Sequence, residues 1–189
     1  MKRGIIMDWS PVIISLKTAS AGIVLTFFLG AAMAELVFRI QNKKLKMILD
    51  GLFTLPLVLP PTVAGFFLLY IFGIRRPVGK FLLDFFAVKI AFSWEATVLA
   101  AVLISFPLMY RAARGAFEQI NPDFLSAGRT LGMSEWSIFW KVQFPMARPG
   151  IVSGAVLAFA RGLGEFGATA MIAGNISGKT RTLPLAVYA

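Results

Sequence analysis

Four long apolar segments limit what this chain can fold into. A helix needs about 20 mainly apolar residues to cross the hydrocarbon core of a bilayer, and residues 12–34, 48–73, 91–110 and 149–173 each reach that length. Of the 189 residues, 58% are hydrophobic and only 15% are charged, which is far too apolar for a soluble domain. Because a helix satisfies its backbone hydrogen bonds internally, the sequence predicts an all-α polytopic membrane protein with four visible spans.

Composition also excludes several classes of function. The chain has no Cys and no His, which removes disulfide frameworks, thiolate chemistry, zinc sites and imidazole acid–base catalysis. The 19 Lys and Arg residues outnumber the 9 Asp and Glu residues, giving a net charge of +10. That excess suits anionic lipid, an anionic substrate or an acidic partner, and membrane lipid is the simplest interpretation. We expect no nucleic-acid partner.

A short stretch near the end of the chain looks like a phosphate-binding loop. Residues 174–180 read GNISGKT. A phosphate-binding loop has four residues between its first Gly and the Gly-Lys-Ser/Thr group, follows a buried strand and opens a helix. Only three residues separate the glycines here, and the stretch follows an apolar run. The sequence therefore predicts a polar loop beside a span, and no nucleotide or other cofactor on this chain.

The second apolar segment, residues 48–73, contains prolines at positions 56, 60 and 61. Proline in a spanning helix frees backbone carbonyls and bends the axis, which is tolerated where neighbouring helices or a water-filled path satisfy those groups. Two interpretations follow. Pro60 and Pro61 belong to a kinked packing helix, or they border a translocation path, as broken helices do in many transporters.

The fourth apolar segment, residues 149–173, is rich in Gly and Ala and contains Arg161 and Glu165. On a helix, residues four apart face the same side and can pair. Charges inside a membrane normally face a bundle interior or an aqueous cavity. The sequence thus predicts an ion pair that either holds two helices together or serves a gate or pathway.

The polar segment at residues 111–148 separates the last two spans and contains helix-boundary signals. Asn121 is a good N-cap, Pro122 suits the first helical position, and Gly132 can close a helix at its C-terminal side. A helix of about three turns between Asn121 and Gly132 is expected, and Ser134 should cap the next one. The sequence therefore predicts a compact helix–turn–helix before the fourth span.

This segment resembles a motif of inner-membrane permease subunits of binding-protein-dependent ABC importers. The family motif, E-A-A-x3-G-x9-I-x-L-P, lies in a cytoplasmic loop before a late transmembrane helix. The full spacing is kept by Ser126-Ala127-Gly128, Gly132, Val142 and Phe144-Pro145. Ser126 stands where the family has Glu and Gly128 where it has Ala, so the contact made by that Glu is not carried over.

The resemblance implies that this helix couples the permease to a separate ATPase. The implied coupling residues are Phe124, Leu125, Ser126, Ala127, Gly128, Arg129, Leu131, Gly132 and Pro145. Among them, Phe124, Leu125 and Leu131 are expected to enter a groove of the partner, as in helix-in-groove docking. Arg129 is expected to be free for a polar contact at the rim of that groove.

Within the family, the chain is similar to the molybdate permeases over stretches such as LPLVLPPTVAGFFLL, FARGLGEFGAT and AGNISGKTRTLPLAVY. Permeases for sulfate, thiosulfate or tungstate are similar over the coupling loop and stay open as alternatives. The resemblance implies a type I ABC importer permease bundle in a prokaryotic inner membrane, forming one transmembrane domain over residues 1–189, with a fifth span beyond them. It also implies a homodimer, cytoplasmic ATPase subunits and an extracytoplasmic oxyanion-binding protein.

In this interpretation ATP is hydrolysed by a partner chain, and the permease has no catalytic residues. Two alternatives come from other classes of protein. A membrane-embedded enzyme would use Glu165 as an acid–base group, but no second convergent carboxylate is evident nearby. A passive channel would conduct without ATP.

Overall fold

The computed structural model describes residues 8–188, so the domain assigned to residues 1–189 extends beyond the described part at both ends. The described residues form helices and connecting loops, with no strand among them. The helices are α1 (Ser10–Arg39), α2 (Lys43–Val58), α3 (Pro61–Phe72), α4 (Pro77–Phe86), α5 (Trp94–Glu118), α6 (Pro122–Thr130), α7 (Glu135–Ile138), α8 (Phe144–Leu163), α9 (Gly167–Ala173) and α10 (Leu183–Tyr188). A π-helical segment, Phe139–Gln143, joins α7 to α8.

Two of these helices, α1 and α5, are long and apolar enough to cross a membrane alone. The apolar segments at 48–73 and 149–173 are not continuous helices. Each is a pair of helices with a bend of more than 40° at a short break, and each pair is long enough for one span only if both members are counted. The expectation of four spans therefore depends on two bent ones.

The break between α2 and α3 follows from the position of the prolines. Pro56 lies inside α2, whereas the helix ends before Leu59 and Pro60. Proline has no N–H to donate, and it disfavours helical geometry at the residue before it. Pro61 then starts α3, and the carbonyl of Pro60 accepts hydrogen bonds from the amides of Val63 and Ala64.

By its internal contacts, the chain divides into two compact units. In the described residues, the first unit contains 8–22, Leu59–Ile104 and 160–188, and the second contains Ile23–Val58 and Ser105–Phe159. The core of the first unit consists mainly of small residues on α3, α5 and α9, including Ala64, Ala100 and Ala168. Small side chains allow helix backbones to approach closely, which is how membrane helices commonly pack.

The second unit has a core of larger side chains. Tyr110 and Phe117 on α5 are fully buried there, together with Val37 on α1 and Ile151 on α8. Close contact between α5 and α8 depends on small residues. A Cβ atom at position 150 would lie 2.7 Å from the Cβ of Ala116, and one at position 154 would lie 2.5 Å from the Cβ of Ala112. Glycine at both positions therefore sets the spacing of these helices.

Polar side chains also connect α1 to α5. In the first unit the hydroxyls of Thr18 and Thr97 are hydrogen-bonded at 2.9 Å, and in the second unit those of Thr26 and Ser105 are 3.1 Å apart. All four residues are buried. Such hydroxyl pairs hold membrane helices together because a buried hydroxyl without a partner is unfavourable in an apolar environment.

Candidate functional site

The predicted short helix between the spans is present as α6, and its boundary signals are confirmed. The side-chain oxygen of Asn121 accepts a hydrogen bond from the amide of Asp123 at 2.9 Å, and Pro122 is the first helical residue. Gly132 has φ of +74°, a left-handed conformation that residues with a Cβ adopt at a cost. Ser134 caps α7 by accepting a hydrogen bond from the amide of Ser137. The helix ends at Thr130, two residues before Gly132.

The exposed face of α6 is narrower than the sequence predicted. Phe124 is half exposed and Leu131 is 79% exposed, but Leu125 is only 7% exposed because it lies in the protein's own core. Leu125 therefore supports α6 from behind and is not available in this structure to enter a partner's groove. Ser126 and Ala127 are exposed beside Phe124.

Gly128, which replaces the Ala of the family motif, is explained by its surroundings. A Cβ atom there would lie 3.0 Å from Cγ1 of Ile138, a fully buried residue of α7. An alanine methyl group would contact Ile138 more closely than side chains normally pack, so Ile138 would have to shift by a few tenths of an ångström. This departure from the motif therefore preserves the packing of α6 on α7.

Arg129 is not free, contrary to the sequence expectation. Its Nε donates to Oε1 of Glu135 at 2.7 Å and its Nη2 donates to Oε2 at 3.2 Å, a two-point contact that joins α6 to α7. Both side chains are about half exposed. The hydrogen bonds from Arg129 hold the pKa of Glu135 below its ordinary value, and the same bonds raise the pKa of Arg129. The pair fixes the orientation of α6 and leaves the apolar tip at Leu131 exposed.

The chain continues from α7 into α8 through the π-helical segment, so Pro145 lies in the first turn of α8, where it is exposed. This segment contains a contact that sequence reasoning missed. The side-chain amide of Gln143, which is buried, donates a hydrogen bond to Oε2 of Glu35 on α1. Oε1 of Glu35 pairs with Nε of Arg39, one helical turn further along. Two donors thus satisfy the half-buried Glu35 carboxylate.

The first unit contains the predicted ion pair in a setting that differs from the prediction. Nη1 of Arg161 lies 2.8 Å from Oε2 of Glu165, so the pairing is confirmed. Glu165 is not on a continuous helix, because α8 ends at Leu163 and the residue lies in the break before α9. Helix formation weakens there because Gly162 and Gly164 flank the end of α8.

The carboxylate of Glu165 has two roles at this break. Its Oε1 accepts a hydrogen bond from the amide of Ala168 at 2.8 Å, which satisfies a free donor in the first turn of α9. Among the described residues, its Oε2 has only the ion pair with Arg161, without a directed hydrogen bond. Glu165 is 2% exposed, whereas the Arg161 side chain is about one-third exposed. The buried carboxylate therefore depends on Arg161 for most of its charge compensation.

The structure brings the two chain breaks together within the first unit. A Cβ atom at position 167, the first residue of α9, would lie 3.0 Å from Cβ of Pro61 and 3.1 Å from the amide nitrogen of Thr62. The start of α9 therefore packs directly on the start of α3. Around this contact lie Pro60, Pro61 and Glu165, which were predicted as pathway residues from two separate apolar segments. Broken helices that meet in this way form the binding and gating regions of many transporters.

A second group of charges was also missed by sequence reasoning. Asp50 on α2 pairs with Arg114 on α5 and accepts a hydrogen bond from the Tyr110 hydroxyl. Arg114 also contacts Glu118 at 3.1 Å, and Lys46 reaches Glu118 at 2.9 Å. All of them except Lys46 line a cavity of about 410 Å³. An acidic residue in an apolar segment was the available signal, since such a residue normally has a partner.

The loop at residues 174–180 is closed by its own hydrogen bonds. The carbonyl of Ile176 accepts from the amides of Lys179, Thr180 and Arg181, and the Thr180 hydroxyl accepts from the amide of Ile176. A phosphate-binding loop instead directs its amides at the ligand and opens a helix. The next helix, α10, begins only at Leu183. The geometry is that of a polar turn.

Comparisons with known proteins agree with the arrangement of helices. A family model described as "Binding-protein-dependent transport system inner membrane component" matches residues 22–188. The chain is 45% identical over 181 residues to the molybdenum transport system permease protein ModB of Escherichia coli K12, covering 96% of this chain and 79% of that protein. It is 40% identical over 182 residues to ModB of Haemophilus influenzae, with coverage of 96% and 79%.

A solved structure has a similar fold at low sequence identity. A chain of the MetNI methionine ABC transporter, determined in inward-facing conformations, superposes with a TM-score of 0.66 at 18% identity. The match covers 85% of this chain and 73% of that chain. At this identity the likeness concerns the helical arrangement alone.

Proposed function

Because the chain belongs to the family of binding-protein-dependent transport system inner membrane components, we propose that it is the permease subunit of an ATP-driven importer for molybdate. The similarity to molybdenum permeases over 96% of the chain carries this proposal. The coupling motif keeps its full spacing within that region, and its helix is capped and braced as a docking element requires. The protein is multi-pass and resides in the inner membrane.

Energy enters, in this proposal, through a separate ATPase that docks on α6. Phe124 and Leu131 present apolar surface, while Leu125 and the Arg129–Glu135 contact hold the helix in place. Because α6 is held by these contacts, a movement of the docked ATPase would be transmitted through α6 to the helices that pack against it. The π-helical segment continues directly from α7 into α8, so displacement of α6 would reach that span.

The pathway is formed, we infer, by two copies of the chain. No residue of α2 is buried within the described chain, and Ile48, Leu52 and Val58 are largely exposed. A helix that is apolar and unburied in one copy needs a further apolar surface to cover it. A second copy provides such a surface on one side of α2, and lipid covers the rest.

The junction of the two breaks is the proposed gate for the oxyanion. Arg161 is the charged group of this junction that retains solvent access, and Glu165 compensates its charge when no anion is present. An oxyanion passing the junction would meet a guanidinium, which binds tetrahedral oxyanions through paired N–H donors. An external binding protein is proposed to deliver the anion.

The test is uptake in a reconstituted system. The chain is co-expressed with its neighbouring ATPase and binding protein, and ATP-dependent uptake of molybdate, tungstate and sulfate is compared in vesicles. We expect molybdate uptake that requires ATP and all three components. A preference for sulfate would contradict the proposed substrate but not the proposal of an importer. Equal flux without ATP would indicate a passive channel.

A further inference from the structure

The second unit contains an open apolar groove that the transport proposal does not use. It has a volume of about 630 Å³ and lies between the C-terminal half of α1 and the aromatic residues around the π-helical segment. We name it the aromatic groove, and its walls include Phe28, Ala32, Trp136 and Trp140. Arg39 lies on its lining together with Glu35.

Large apolar side chains in the walls of the aromatic groove are exposed. Trp136 is 72% exposed and Phe28 is 67% exposed. Trp140 packs edge-to-face on Trp136, with ring centroids 5.7 Å apart, and on Phe139 at 5.1 Å, so the aromatic rings form one continuous wall. Alanines at positions 31 and 32 form a low opposite side, which gives the groove its width. An elongated apolar group fits this shape.

An exposed guanidinium lies at one end of the aromatic groove. Arg39 pairs with Glu35 through Nε, and its side chain stays 46% exposed. A guanidinium bound through Nε keeps donors on its terminal nitrogens, and these suit a phosphate group. The nearby carboxylates are already compensated, Glu35 by Gln143 and Arg39, and Glu135 by Arg129. Because the Glu35 side chain is only 13% exposed and that of Arg39 is 46% exposed, the guanidinium is the side of this pair that a ligand can reach.

The position of the groove along α1 points to lipid as the occupant. The apolar run of α1 gives way to polar sequence at Glu35 and Arg39, and Lys43 and Lys44 follow within five residues. This is where a span meets the headgroup region, and tryptophans are enriched at that level. Cations beside a span attract anionic headgroups.

From this geometry we propose that the aromatic groove binds an anionic phospholipid. One acyl chain lies between Ala32 and the tryptophans, and the headgroup phosphate accepts hydrogen bonds from the terminal nitrogens of Arg39. The bound lipid covers the π-helical segment between α7 and α8 and connects it to α1. This inference requires only that the chain is embedded in a membrane, so it does not depend on the identity of the transported anion.

The experiment uses quenching of tryptophan fluorescence by brominated acyl chains. The full chain is reconstituted in bilayers that contain increasing fractions of brominated phosphatidylglycerol or of brominated phosphatidylcholine with the same chains. We expect half-maximal quenching at an about fivefold lower mole fraction of the anionic lipid, the preference that one cation provides near a membrane surface. In the Trp136→Phe/Trp140→Phe variant this preference should disappear, since Trp9 and Trp94 lie outside the groove lining.

Four further variants separate the two parts of the lipid. Arg39→Gln should remove the preference for the anionic lipid, and Arg39→Lys should keep it because the charge remains. Arg148→Gln, an exposed cation outside the groove lining, is the matched control and should keep the preference. Ala32→Phe should reduce quenching by both lipids because the added ring fills the groove. Circular dichroism verifies that each variant folds.

Three results would overturn the proposal. The two lipids quench the wild-type chain equally, which would leave ordinary annular lipid only. Folded Arg39→Gln keeps the full preference, which would remove the headgroup contact. The groove tryptophans are shielded from both lipids in the assembled homodimer, which would make a protein surface the occupant.

Discussion

Gln143, on the π-helical segment, donates its side-chain amide to the carboxylate of Glu35, which lies 108 positions earlier on α1. Within residues 8–188, the other partner of Glu35 is Arg39, and Gln143 is buried. A π-helical turn inserts one extra residue per turn relative to an α-helix, and such turns are frequent at functional sites. Here the turn directs Gln143 at α1, so the segment that follows α7 is fixed to a helix long and apolar enough to span the membrane.

Replacement of Gln143 by Leu should destabilise the chain by about 1–3 kcal/mol, because a half-buried carboxylate loses a hydrogen-bond donor. Chemical unfolding in detergent measures the change. The exposed Gln119→Leu substitution is the matched control and should have little effect. Combining Gln143→Leu with Glu35→Leu should recover much of the loss, since both polar partners are then removed. Equal effects of Gln143→Leu and Gln119→Leu would contradict the contact.

The Arg161–Glu165 pair predicts an asymmetric mutational pattern. Arg161→Met leaves a buried carboxylate without compensation and should destabilise by about 3 kcal/mol, the low end of the range for breaking a buried pair, because Arg161 is partly exposed. Adding Glu165→Gln should restore most of this stability, since a neutral amide oxygen can still accept from the Ala168 amide. Unfolding of the single and double variants measures the coupling. Strictly additive effects would show that the two side chains do not interact.

Leu125 and Leu131, in the proposed coupling region, should behave differently when replaced by Asp. Leu131→Asp should leave the fold intact and reduce ATPase association at least about 30-fold, the loss typical of a central interface residue. Leu125→Asp should instead unfold or destabilise the chain by more than about 3 kcal/mol, because it places a charge in the core. Co-purification with the ATPase and unfolding in detergent separate these outcomes. If the folded Leu131→Asp variant binds the ATPase as well as the wild-type chain does, Leu131 is not part of the docking surface.

Gly132 and Gly115 provide a matched test of backbone conformation. A Cβ atom at either position would meet no atom within 4 Å, but only Gly132 has a positive φ. Gly132→Ala should therefore destabilise by about 1–2 kcal/mol through the left-handed conformation. Gly115→Ala should stabilise by up to about 1 kcal/mol because it lies inside α5. The same sign for both substitutions in an unfolding experiment would be evidence against the assigned turn.

The Arg129–Glu135 contact should be lost at acidic pH, where Glu135 becomes protonated, and should be unaffected by pH changes near neutrality. Glu135 has a pKa lowered from 4.5 in the folded chain, so the contribution of the contact is fully present above the unfolded value and is lost as pH falls through the folded pKa. An NMR titration of the Glu135 carboxyl carbon in detergent measures this. Arg129→Gln should move the titration back towards the ordinary value. A titration that Arg129→Gln leaves unchanged would rule out the pairing in solution.

Local signals were sufficient for much of this protein. The lengths of the apolar segments predicted membrane helices, and the cap at Asn121 and the left-handed turn at Gly132 were predicted correctly. These features depend on residues within a few positions of one another, where backbone sterics and cap hydrogen bonds act. The pairing of Arg161 with Glu165 belongs to the same class, because the residues are four apart.

Only the tertiary structure decided which side of each element is used. Leu125 lies on α6 and Leu131 directly follows its last residue, and their side chains are identical, yet one supports the fold and the other faces outward. The contacts of Gln143 with Glu35 and of Arg114 with Asp50 join residues far apart in the chain, and no local periodicity specifies such partners. Glu165 lies in a break rather than on a helix because its carboxylate caps α9, which packs against α3. Burial and long-range pairing arise when helices pack, so local sequence determined the apolar segments and the helix caps, whereas packing determined where two of the spans break and what each side chain does.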